Sequence, residues 1–157
     1  MALVGLKRDK KMNTPFSVLS GAFRARLVKT LIMSTDLSAS AGAALLNSVA
    51  LENGFIRREK PVPASALAEW SKENSTPLWA ALAALTLLLN KGWVPISNEE
   101  WAGFASLFIK RQKSKDLDEL LDVLPAQFDK SIAAGWISAA IEENKCYKVT
   151  KAKRVTV

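Results

Sequence analysis

Apolar residues recur along most of this chain every three or four positions, and one stretch departs from that rule by being apolar on every side. From Pro77 to Leu89 it reads Pro-Leu-Trp-Ala-Ala-Leu-Ala-Ala-Leu-Thr-Leu-Leu-Leu, uncharged, with Thr86 its single polar side chain. On a helix, Leu78, Leu82, Leu85 and Leu89 share one side, while Trp79, Ala83 and Leu87 fall on others. A helix with no polar face is buried on all faces. The 12 residues from Leu78 to Leu89 span about 18 Å, against the roughly 20 residues a bilayer requires. The stretch therefore predicts a central helix over 77–90, capped by Ser75 or Thr76, with Pro77 at its first position and Gly92 closing it in the left-handed conformation.

The surrounding pattern predicts further helices. Phe16, Leu19, Phe23, Leu27 and Leu31 form one stripe, so Thr14-Pro15 should start a helix running to about Met33. Thr35-Asp36 can cap a second, from about Leu37 to Glu52, whose first half, Ser38 to Ala44, contains only small residues. A mid-helix Gly42 costs up to ~1 kcal/mol relative to Ala, so close approach of another helix is the expected compensation. Leu67 and Trp70 are the inward pair of a short helix over Ala64 to Glu73. Ser97 with Glu100 is a capping box opening a helix from Asn98 to about Gln112, buried through Trp101, Phe104, Ala105 and Phe108. Asp116 to Leu124 is an acidic amphipathic helix halted by Pro125. Pro125 in turn should start a helix with Phe128 and Ile132 inward.

A signal recurs at three places: Asn53-Gly54-Phe55-Ile56, Lys91-Gly92-Trp93-Val94 and Ala134-Gly135-Trp136-Ile137. Each offers a glycine able to take φ > 0 at a helix end and an aromatic residue to pack back on the last turn. The glycines are 38 and 43 residues apart, close to a helical-repeat period, so the three stops mark either a duplication or shared local chemistry. Beyond Ile137 two readings stand. Ser138 to Glu143 is good helix sequence; alternatively, Ile137–Ile141 and Cys146–Thr150 pair as a hairpin about Glu142–Lys145. We take the helix. Lys151 to Val157 reads as an exposed tail or edge strand.

A helix–turn–helix followed by Gly-aromatic-β-branched and a hairpin resembles a winged-helix unit, and two stretches have that outline, Ala64 to Ile96 and about Leu117 to Thr150. The resemblance implies a second helix reading the major groove. In the first stretch that helix is the apolar central one, which excludes base reading there. The expected fold is thus all-α or predominantly α, six to eight helices around helix 77–90, with a small C-terminal β-hairpin as a possible addition and tandem winged-helix-like units as the alternative. The expected organisation is a flexible basic arm over 1–13, one helical domain over 14–150 and a basic tail over 151–157.

Composition sharpens this. Seven glycines and six prolines in 157 residues are few for a sandwich or barrel. A single cysteine, Cys146, excludes an internal disulfide, and the absence of histidine removes imidazole acid–base chemistry and the usual transition-metal ligands. No nucleophile–base spacing or glycine-rich phosphate loop accompanies the remaining carboxylates and lysines, and Asp116 to Asp122 lacks a calcium-loop pattern. The expectation is a non-enzyme with no cofactor and no metal. The apolar run in Met-Ala-Leu-Val-Gly-Leu-Lys-Arg is short for a signal peptide and its charges are on the wrong side, so a cytoplasmic protein without membrane association is expected.

The net charge of +7 is concentrated at the ends: residues 1–30 carry +6, residues 145–157 carry +5, and the middle carries −4. Such asymmetry suits a polyanionic partner. The candidate phosphate contacts are Lys7, Arg8, Lys10 and Lys11 in the arm; Arg24, Arg26, Arg57 and Arg58; Lys110, Arg111, Lys113 and Lys115; and Lys148, Lys151, Lys153 and Arg154. Cations at 110–115 also complement a helix C-terminus without any ligand. The functional expectation is a nucleic-acid-binding protein, or a small helical subunit of a nucleoprotein complex, with DNA and RNA both open. The alternative is a protein-interaction module, an inhibitor or assembly adaptor, drawing on five tryptophans, a residue enriched at binding hot spots. All five stand at apolar-face or helix-stop positions, as core tryptophans do.

Overall fold

The computed structural model describes the backbone of residues 14–156 and the side chains of residues 14–146. Over these residues the protein is all-α, with seven helices and no strand. They are α1 (Pro15–Thr35), α2 (Ala39–Glu52), α3 (Ala64–Glu73), α4 (Leu78–Asn90), α5 (Asn98–Arg111), α6 (Leu117–Asp122) and α7 (Lys130–Thr156). The basic arm assigned to 1–13 lies outside the described residues. The chain divides into two compact units, one of Gly21–Pro95 and one of Met1–Ser20 with Ile96–Val157. The expectation of one domain over 14–150 did not foresee this division, which falls within α1 and at Pro95.

The Gly21–Pro95 unit is built on α4. Ala80 through Thr86 are buried without interruption, two full turns enclosed on every face, as a helix with no polar stripe requires. The Thr86 hydroxyl donates to the Leu82 carbonyl at 2.8 Å, so its burial leaves no donor unpaired. Helix α2 packs on α4 and on α3, burying Leu46, Val49 and Ala50. A Cβ on Gly42 would meet Ile32 Cδ1 at 2.8 Å, so the glycine makes room for a side chain of α1, the close packing its place in the helix suggested. The caps differ from expectation in two places. Ser38, not Thr35-Asp36, caps α2, its side chain accepting from the Ala41 N–H. Pro77 is the N-cap of α4 and gives no side-chain bond, while the Thr76 hydroxyl is buried without a partner.

The other unit gathers four rings. Phe104 is fully buried, with Phe128 at 4.5 Å and Phe108 at 5.2 Å between centroids, and Trp101 stands edge-on to Phe128 at 5.8 Å. The Ser97–Glu100 capping box that opens α5 forms in both directions. Asp116 caps α6, and Asp129 accepts from the N–H groups of Ser131 and Ile132 at the start of α7. Ile132, expected to face inward, is 49% exposed. Helix α7 packs on α5 and α6 through Ala133, Ile137 and Ala140.

Two of the three glycine stops form. Gly54 (φ 75°) and Gly92 (φ 86°) are left-handed. At the first, the Phe55 N–H bonds to the Ala50 carbonyl and the Gly54 N–H to Leu51; at the second, the Trp93 N–H bonds to Leu88 and the Gly92 N–H to Leu89, the paired bonds of a Schellman end in each case. Gly135 does not stop a helix: α7 runs through it from Lys130 to Thr156. The reason lies downstream and opposite. Pro95 follows Gly92 by three residues and bars continuation there, whereas no proline follows Gly135. The buried row Ala133, Ile137, Ala140 continues across it, and packing of that row outweighs the propensity cost of glycine. Two further expectations fall with it. The segment 138–150 is helix, so the C-terminal hairpin is absent, and without a strand among the described residues neither winged-helix stretch has a wing. Residues 151–156 continue α7 as helix and form no edge strand.

Candidate nucleic-acid interface

The candidate phosphate contacts divide between the two units and between three local situations. The first is the end of α7. Lys145 opens a run in which Lys148, Lys151, Lys153 and Arg154 follow with no acidic residue, all on one continuous helical backbone that ends at Thr156. A helix of 27 residues is about 40 Å long at 1.5 Å per residue. The two carboxylates preceding the run have local contacts: Glu142 lies 3.8 Å from Lys145, and Glu143 accepts from the Thr14 hydroxyl. The exposed Glu142–Lys145 pair contributes little.

The second is the end of α5. Lys110, Arg111 and Lys113 are exposed. Lys115 turns back on its own helix: its ammonium donates to the carbonyls of Ile109 and Gln112, the latter at 2.9 Å. It is a C-terminal cap, satisfying carbonyls that α5 leaves without intrahelical donors. A phosphate is not required to account for it.

The third lies in the Gly21–Pro95 unit, about the first turn of α4. Arg24, half-buried on α1, donates from Nε to the Thr76 carbonyl at 2.8 Å. Burial pushes its guanidinium below the usual arginine pKa. Arg58, exposed on the connector between α2 and α3, has its guanidinium carbon 4.7 Å from the centroid of the Trp79 ring. Trp79 meets Trp70 of α3 edge to face at 5.7 Å. The connector is held from beneath by Asn47 of α2, which is 2% exposed and donates its amide to the Glu59 carbonyl at 2.9 Å. Arg24 and Arg58, 34 residues apart, thus engage Thr76 and Trp79 at one end of one helix. Arg26 on α1 and Arg57 on the connector are exposed.

Sequence reasoning assigned the tryptophans to the core, and here it missed a feature. Of the five, Trp101 is buried, at 7% exposure, while Trp70, Trp79, Trp93 and Trp136 are half-buried. The available signal was position. Trp79 stands in the first turn of α4, ahead of the buried Ala80–Thr86.

Two other features bear on function. Between α1 and α3 is a groove of about 350 Å³ lined by Val28, Ile32, Met33, Leu67 and Ala68, with Lys29 and Lys72 beside them. Met33 is 75% exposed there. Among the described residues no group of histidine, cysteine, aspartate and glutamate side chains converges to hold a metal ion, and no helix is long and apolar enough to cross a membrane. Compared with protein-family models, curated proteins and solved structures, the chain matches none.

Proposed function

We propose that this protein is a non-catalytic nucleic-acid-binding protein, or a small helical subunit of a nucleoprotein complex, that contacts phosphates through its basic ends. The observation that carries the reading is the end of α7, where a helix anchored through Ala133, Ile137 and Ala140 continues into five cations without an intervening acid. Five cations gathered on one stretch of helix raise the local positive potential, and a polyanion is the partner that gains from this. Lys115 is left out of the interface because its ammonium serves α5. Arg24 acts within its unit rather than on phosphate.

The test is fluorescence anisotropy with duplex and single-stranded oligonucleotides across a salt series. The intact chain is compared with one in which Lys148, Lys151, Lys153 and Arg154 are changed to Gln. Affinity for duplex should fall with log[salt] at a slope of about −0.9 per phosphate neutralised. The quadruple variant should have a slope shallower by up to about 3–4 units. No binding at 50 mM salt, or binding indifferent to salt, would refute the reading.

One observation favours a second reading, a protein-interaction module. The groove flanked by Lys29 and Lys72, with Met33 exposed in it, fits an amphipathic segment bearing carboxylates beside its apolar face. Association with such a peptide that persists at high salt, together with no oligonucleotide binding, would select it.

A further inference from the structure

The cluster at the start of α4 sets a cation against aromatic rings. Arg58 is exposed and held 4.7 Å from the centre of Trp79, whose ring is braced edge-on by Trp70 at 5.7 Å. Both tryptophans are only half-buried, unlike Ala80 to Thr86, which follow Trp79 in α4 and are buried without interruption. An exposed guanidinium resting on an indole offers its outer face for stacking, and the interaction strengthens as water is excluded. Two positioning residues keep the cluster assembled. Asn47 fixes the connector at Glu59, next to Arg58, and Arg24 ties α1 to Thr76, three residues before Trp79.

We propose that Arg58, Trp79 and Trp70 form a stacking platform for an unpaired base, so that the protein's preferred ligand is single-stranded nucleic acid. A duplex keeps its base faces covered by neighbouring pairs, whereas a single strand can lay a base on the guanidinium while its phosphates meet the cations. Because every base has a π-face, the platform tolerates any sequence. The proposal rests on the nucleic-acid reading above and narrows it from polyanion in general to single strands.

The experiment compares a 20-nucleotide oligo-dT strand, an abasic strand of the same length and a duplex of matched phosphate number, all at 50 mM salt. Wild-type protein, Arg58→Lys and Trp79→Phe are measured by anisotropy and by tryptophan emission. Lysine keeps the charge but loses the planar group. Arg58→Lys should therefore bind oligo-dT about tenfold more weakly, the scale of one base–aromatic stack, with its affinity for the abasic strand unchanged. Oligo-dT should quench wild-type emission, and Trp79→Phe should remove part of that quenching. Arg58 is exposed, so the lysine variant should melt as wild type does and keeps the test valid even if Trp79→Phe is destabilised. If oligo-dT and the abasic strand bind equally well, or Arg58→Lys binds oligo-dT as wild type does, the stacking platform is wrong while the nucleic-acid reading survives. If nothing binds at this salt, both are wrong.

Discussion

Three glycines with the same local sequence setting should respond with opposite signs to one substitution. Gly54 and Gly92 adopt φ of 75° and 86°, where a Cβ costs about 1–2 kcal/mol against the neighbouring carbonyl. Nothing lies within 4 Å of a Cβ built on either, so the penalty is conformational and not a clash. Gly135 is also open around its would-be Cβ, but it is helical and lies within α7. Alanine there removes the backbone freedom that glycine has in the unfolded chain and gains about 0.8–1 kcal/mol of helix propensity. Gly135→Ala should therefore stabilise by ~1 kcal/mol, while Gly54→Ala and Gly92→Ala each destabilise by ~1–2 kcal/mol, a spread of about 2–3 kcal/mol. For a chain of this size each kcal/mol moves Tm by about 2–4 °C. Thermal and urea unfolding of the three single variants would separate the signs clearly. Destabilisation by Gly135→Ala would mean that α7 breaks at that position, and stabilisation by Gly92→Ala would mean that the left-handed end of α4 does not exist.

Three further outcomes are expected. Phe104→Ala empties the centre of the four-ring cluster and should cost about 3–5 kcal/mol, a large share of a typical stability of about 5–15 kcal/mol; a urea-unfolding loss below ~1 kcal/mol would contradict the packing described. Asn47→Ala removes the donor to the Glu59 carbonyl and should cost about 1–3 kcal/mol, with hydrogen exchange accelerating at residues 57–60; unchanged protection there would show that the amide does not hold the connector. Lys115→Met strips two carbonyls of their donor and should cost about 0.5–1 kcal/mol without altering the salt slope of nucleic-acid binding, whereas a shallower slope would place Lys115 on phosphate after all.

Much of the fold was legible because its signals are local. The Ser97–Glu100 box, the helix Ala64–Glu73 and the left-handed glycines 54 and 92 each depend on residues within a few positions of one another. Periodicity likewise marked α4 as enclosed, since an all-apolar helix has no face to give to water. What the pattern could not hold was any matter decided across the chain. Gly135 repeats the stop sequence, yet whether a helix ends there depends on a row of residues packing against α5 and α6. Arg24 and Lys115 read as phosphate contacts until their partners are known, a carbonyl 52 residues away for one and the end of its own preceding helix for the other. Trp79 and Arg58 are 21 residues apart, and no helical spacing links a connector arginine to the first turn of a later helix.

The sequence by itself therefore determined the helical class, most helix ends, the enclosed α4 and the placement of charge at the two ends of the chain. Those follow from short-range backbone chemistry and from the cost of exposing apolar surface, which any arrangement of the helices must respect. Only the tertiary structure decided that the chain divides into two units, that α7 is unbroken to Thr156, and which cations are engaged by the protein itself and which stand against tryptophan. Each of those outcomes depends on which distant groups come within a few ångströms, and a side chain's role changes when a carbonyl or a ring replaces water as its neighbour.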